Sequence, residues 1–75
     1  MHATVALLED TRTRHFESGE PVLLRRGDIG TVVMLYDYGA CEVELSDRSG
    51  RTYALLPLSA DRLLALHDTP ERVGS

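Results

Sequence analysis

Arg25-Arg26-Gly27-Asp28-Ile29-Gly30-Thr31-Val32-Val33 is the stretch that decides the fold. Two glycines three apart predict a sharp reversal, because glycine alone takes positive φ without steric cost. The β-branched run that follows suits a pleated, half-buried surface. A tight turn feeding directly into a strand is the pattern of a small β-barrel. It fixes a fold class rather than a chemistry.

Working outward toward the C-terminus, residues 29–36 read as a strand, Asp37-Tyr38-Gly39-Ala40 as a turn and 41–45 as the returning strand. A centred turn sets Tyr36 opposite Cys41, Met34 opposite Val43 and Val32 opposite Leu45. These six then share one apolar face, and Glu42 and Glu44 point the other way, which is the period-two signal of a sheet with one buried side. Each cross-strand neighbour is also apolar. Ile29, Thr31, Val33 and Leu35 fall on the face of the two glutamates. Val33 and Leu35 make an apolar strip there, a feature that marks interfaces unless barrel curvature, or the segment carrying Phe16 and residues 22–24, covers it.

Asp47-Arg48-Ser49-Gly50 reads as a second turn and 51–56 as the next strand. Its register stays open: a three-residue loop points Tyr53 and Leu55 inward, whereas a four-residue loop selects Thr52, Ala54 and Leu56. Pro57 is expected to stop this strand, since it has no N–H for a central ladder. Residues 58–61 suit one helical turn with Ser59 as its cap, and 62–66 a last short strand that pairs with the first and closes the barrel. On the N-terminal side, residues 3–8 read as the first strand, 11–20 as a long polar loop and 21–24 as a short extended segment. Residues 1–67 form a single domain in this reading, and 68–75 a flexible tail.

The order of strand, long loop, strand, hairpin, strand, helical turn and strand is that of SH3-like barrels. The expected fold is therefore mainly β, a small SH3-like antiparallel barrel of about five strands with one short helical turn. The segment from Arg26 to Val33 resembles the glycine motif of ribosomal and transcription-factor KOW domains, over less than a third of the chain. A resemblance over nearly the whole chain is to a bacterial family known only as a domain of unknown function. Its members share the opening Val5-Ala6-Leu7-Leu8-Glu9-Asp10, then Arg-Gly-x-x-Gly-Thr-Val-Val (Arg26 to Val33). Glu42-Val43-Glu44 and Gly50-Arg51-Thr52-Tyr53-Ala54-Leu55-Leu56 continue the match. That resemblance implies an SH3-like barrel with no catalytic residues assigned. It also implies a protein partner, encoded by a neighbouring gene.

Seventy-five residues bury only about 60% of the surface exposed on unfolding, so the core is small and self-association is one route to extra stability. The apolar fraction of 43% is that of an ordinary folded domain. All eight basic residues are arginine and the net charge is −4, a balance that weighs against nucleic acid as partner. No apolar run reaches membrane-spanning length, no secretory leader is legible, and the single cysteine forms no internal disulfide. A bacterial cytoplasm is the expected setting.

Candidate chemistry is sparse. His2, His15 and His67 are spread along the chain without the convergence a metal site needs. Cys41 faces the expected core beside Glu42, the wrong sign to activate a thiol, and reads as a small buried hydrophobe. Glu42 and Glu44 share a face as acid–base pairs do, yet no pocket accompanies them. Gly27-x-x-Gly30 lacks the following helix that phosphate binding requires. No catalytic residue, cofactor or metal ligand is assigned, and the chain is not expected to be an enzyme. The expected role is a protein-interaction module that binds a partner or another copy of itself. Its contact residues are Arg14, His15 and Phe16 from the long loop, Val33 and Leu35 from the strip, and Asp37 and Tyr38 from the hairpin tip. The alternative is a KOW-like RNA-binding module using Arg25, Arg26, Arg48 and Arg51, near two turns. A more remote one is an accessory subunit of an enzyme.

Overall fold

The β-branched and leucine-rich runs of the chain form strands wherever apolar and polar residues alternate. A computed structural model describes residues 3–66. It contains β1 (Ala3–Leu7), β2 (Thr11–Arg14), β3 (Pro21–Leu24), β4 (Ile29–Leu35), β5 (Ala40–Ser46), β6 (Thr52–Ser59), a 3-10 turn (Ala60–Arg62) and β7 (Leu63–Ala65). Five strands make one antiparallel sheet in the order β6-β5-β4-β1-β7, and β2 and β3 form a separate ribbon. The chain is thus mainly β, as expected. β7 pairs with β1 as expected. No ladder joins β7 to β6, so the sheet curls without closing.

The core lies on the concave side of the curl. Val5, Leu7, Val32, Cys41, Val43, Leu45, Ala54 and Leu58 are buried there, and Leu24 of the ribbon packs onto them from the open side. The expected inward faces of β5 and of Val32 are borne out, as is a buried Cys41.

Several expectations are corrected. Residues 11–20 are not one loop: Thr11 and Thr13 are half-buried while Arg12 and Arg14 are exposed, and this alternation lets β2 pair with β3. In β4–β5 the register is Thr31↔Glu44, Val32↔Val43, Met34↔Glu42 and Leu35↔Cys41, with a bulge between Val32 and Met34. The extra residue flips the parity of the strand. Met34, expected in the core, is exposed, and Tyr36 does not sit opposite Cys41.

In β6 the pairs Leu45↔Ala54, Val43↔Leu56 and Cys41↔Leu58 settle the register in favour of the even residues. The strand runs through Pro57 to Ser59 instead of stopping. β6 is an edge strand, and Tyr53 turns its carbonyl outward to accept the N–H of Phe16 in the ribbon. Alternation from Tyr53 puts the missing N–H of Pro57 on that same outward edge, where no ladder bond is lost. The helical turn falls at Ala60–Arg62, and Ser59 precedes it without a side-chain capping bond. The expected tail at 68–75, with His67, lies outside the described residues.

The two glycines of the opening stretch do different work. Gly27 has φ +92°, as the turn requires. Gly30 lies in β4 with ordinary extended backbone, but a Cβ there would stand 2.7 Å from Val43 Cγ1 and 3.1 Å from the Glu44 carbonyl oxygen. Both Gly27→Ala and Gly30→Ala are expected to destabilise, the first by about 1–2 kcal/mol of left-handed strain, the second by about 1–3 kcal/mol of overpacking. Asparagine separates the causes in urea unfolding. It is milder than alanine at 27, because asparagine tolerates positive φ, and harsher at 30, because it is larger.

Candidate functional site

The β4–β5 hairpin carries the largest exposed apolar groups of the described chain. Its turn is closed by Tyr36 N–H donating to Ala40 O (2.9 Å) and Gly39 N–H donating to Tyr36 O (3.3 Å), with Gly39 at φ +82°. Ala60 N–H donates to Gly39 O at 3.0 Å and ties the tip to the 3-10 turn. Upstream of the turn the bulge leaves Val33, Met34 and Leu35 all exposed in succession, and Leu35 and Tyr38 each keep 75% of their surface in solvent. Of the expected strip, Val33 is the extra residue at the bulge. Leu35 shifts to the parity of Cys41 at the open end of the curl, and Met34 takes its place opposite Glu42.

Polar contacts order this surface. Tyr36 Oη donates to Glu42 Oε1 at 2.7 Å, and the ring of Tyr38 stacks on that of Tyr36 with centroids 5.5 Å apart. The bonded carboxylate, helped by partial burial, raises the Tyr36 phenol above its ordinary value of 10.0. One register step along β5, Thr52 Oγ1 donates to Glu44 Oε2 at 2.7 Å.

Arg14, His15 and Phe16 sit elsewhere, at the tip of the β2–β3 ribbon. Arg14 Nη1 donates to Gly19 O, and His15 Nδ1 accepts the N–H groups of Glu17 and Ser18. Two of the three are therefore occupied in shaping their own hairpin, while the Phe16 ring is exposed. Phe16 is anchored at Tyr53, and the β4–β5 tip at Ala60, beyond the far end of β6. Six residue steps along β6, about 20 Å, separate Tyr53 from Ser59. The structure does not bring the two sets of expected contact residues together.

It does bring together the two arginine-bearing turns, whose relative placement the sequence leaves open. Gly27, Asp28, Ile29, Ser46, Asp47, Arg48 and Tyr53 line one open cleft of about 650 Å³. Of the four arginines only Arg48 lines it; Arg25, Arg26 and Arg51 are exposed in the adjoining turns. Carboxylates hold both turns: Asp28 Oδ2 accepts from Arg25 N–H, Asp10 Oδ1 from Arg26 N–H, and Asp47 Oδ1 from Ser49 N–H, Ser49 Oγ and Arg51 N–H. Burial raises the Tyr53 phenol, and Asp28 and Asp47 add to the rise. Asp28 and Asp47 thus set two carboxylates beside Arg48 in the cleft lining.

Among the described residues no group of three or more His, Cys, Asp or Glu is placed to hold a metal ion. His2 and His67 lie outside those residues. No helix of the described chain is long and apolar enough to cross a membrane. The exposure of Met34 and the half-buried place of Tyr36 beside Glu42 escape sequence reasoning, because the bulge that sets them leaves no mark in the sequence.

Two titrations test this geometry. Glu42→Gln is expected to lower the Tyr36 phenol toward 10.0 while leaving Tyr53 raised, read by ultraviolet titration of the phenolates. Asp47 lies below its ordinary 3.8, chiefly through the Ser49 hydroxyl and then the Arg51 N–H. A depressed folded value means the turn's contribution is present above the unfolded value and lost as pH falls through the folded one. Asp47→Ala is expected to flatten the acid limb of the stability–pH curve below about pH 4; an unchanged limb contradicts the assignment.

The chain matches the family model of DUF4926, a domain of unknown function, across residues 1–65. No curated protein and no solved structure is matched. The pleated hairpins, the curled sheet and the 3-10 turn described above all fall within that span, and the chain belongs to the DUF4926 family.

Proposed function

We propose that this domain is a non-catalytic protein-interaction module of the bacterial cytoplasm, and that the β4–β5 hairpin is its contact surface. The observation that carries the reading is the unbroken exposure of Val33, Met34 and Leu35, beside a stacked pair of tyrosines. Three successive apolar side chains in water are unfavourable for an isolated small domain, and covering them gains about 25 cal/mol per Å² of apolar surface. Tyrosine at such a patch adds the rigid, amphipathic anchor on which interfaces concentrate their energy. The anchored tip at Gly39 and Ala60 holds the patch in one shape, which limits the ordering cost of binding. The expected partner is a protein encoded by a neighbouring gene, or a second copy of the chain; an accessory role beside an enzyme would use the same surface.

One observation favours a second reading, binding of RNA in the manner of a KOW domain: Arg48 lines a cleft shared by the two turns, and Arg25, Arg26 and Arg51 are exposed beside its lining residues in sequence. Asp28 and Asp47 line the same cleft, and the net charge of −4 opposes phosphate. Protein contact is therefore the better supported of the two.

Leu35→Ser with Tyr38→Ser removes exposed side chains and is expected to leave folding intact. Co-expression with the neighbouring gene product should give co-purification with the native chain and lose it with the double variant. A strictly monomeric sedimentation profile together with no co-purifying neighbour overturns the proposal. A salt-sensitive RNA shift abolished by Arg25→Ala with Arg26→Ala supports the second reading instead.

A further inference from the structure

The alternation Cys41-Glu42-Val43-Glu44-Leu45 buries the odd residues of β5 and turns the two glutamates to the convex face. Each glutamate has neighbours on both sides in the sheet. Glu42 lies between Met34 of β4 and Pro57 of β6, and Glu44 between Thr31 and Leu55. Val33, Met34, Leu55 and Pro57 are exposed, while Glu42 and Glu44 are already half-buried among them. The convex face is thus a central acidic row flanked by apolar Leu55 and Pro57 on one side and by Met34, with Thr31, on the other.

The acidic row is fixed in place. One oxygen of each carboxylate is held, Glu42 by Tyr36 Oη and Glu44 by Thr52 Oγ1. Neither carboxylate forms an ion pair among the described residues, where Arg62–Glu9 at 3.3 Å is the ion pair present. A partner that covers the apolar rows must also cover the carboxylates between them. Taking an unpaired carboxylate out of water is strongly unfavourable, whereas one that meets a cation keeps its electrostatic stabilisation. An uncharged apolar partner is therefore penalised on this face, and nucleic acid or an anionic lipid surface is repelled.

We infer that the partner of this surface presents a basic segment, with two arginine or lysine side chains about 7 Å apart to match the two-residue spacing of Glu42 and Glu44, and with apolar residues beside them. The inference rests on the reading of the β4–β5 hairpin as a contact surface and adds the chemistry of what it contacts. The free carboxylate oxygens suit guanidinium best, because a planar fork of donors can meet each one without moving it.

A displayed random-peptide library selected against the full chain tests this. The expected winners combine arginine or lysine with apolar residues. A synthesised winner is expected to weaken about tenfold or more against Glu42→Gln with Glu44→Gln, and to weaken against the native chain as salt rises. Glutamine keeps an acceptor for Tyr36 and Thr52, and thermal unfolding checks that the variant folds. The salt series on the native chain needs no variant at all. Winners without basic residues, bound equally by the glutamine variant and insensitive to salt, overturn the inference and leave the contact surface standing. No enrichment, or winners whose binding survives Met34→Ser with Tyr38→Ser, overturns both.

Discussion

Close approach between Gly30 of β4 and the Val43 and Leu45 side chains of β5 is the constraint on which the rest of the structure depends. Val43 and Leu45 are completely buried, and they fill the space where any other residue at 30 would place its Cβ. That contact lets two neighbouring strands bend toward the core, so a five-stranded sheet encloses a small interior without a helix to cover it. Leu24 of the β2–β3 ribbon then seals the open side. A domain of this size has little apolar surface to spare, and it places that surface on the concave side by curling the sheet instead of stacking a second one.

The same bending makes the candidate site. A strand that follows the curl through Val32 reaches the bulge before Met34, and the bulge redirects the remainder. Residues that strict alternation would divide between core and solvent are all exposed, Leu35 at the open end of the core-facing side, and the hairpin tip is pinned by its bond to Ala60. Packing requirements inside the sheet and exposure outside it are two results of one local irregularity.

This division also explains what the sequence did and did not disclose. The inward set Val32, Cys41, Val43 and Leu45 was legible because alternation in β5 is uninterrupted. The order of strands and the β1–β7 pairing were legible from turn chemistry and strand spacing. Met34 and Tyr36 were misplaced because an added residue in a ladder changes parity without changing composition. Pairing of Thr11–Arg14 with Pro21–Leu24 was hidden by polarity: threonine and arginine look like a loop until the half-buried threonines show the period of two. Pro57 misled because its effect depends on which edge its nitrogen faces, a tertiary property. The cleft between the two arginine turns required the curl itself, which brings distant segments to one end.

Pro57 has one more consequence. A row of unpaired backbone groups along β6 would invite copy after copy to stack into fibrils. With Tyr53 capped by the ribbon and no donor at Pro57, an incoming strand finds only Leu55 offering both partners between them. The opposite margin, β7, is three residues long. Polymerisation through sheet extension is thereby disfavoured at both borders, which leaves contact with other molecules to side chains rather than to backbone edges.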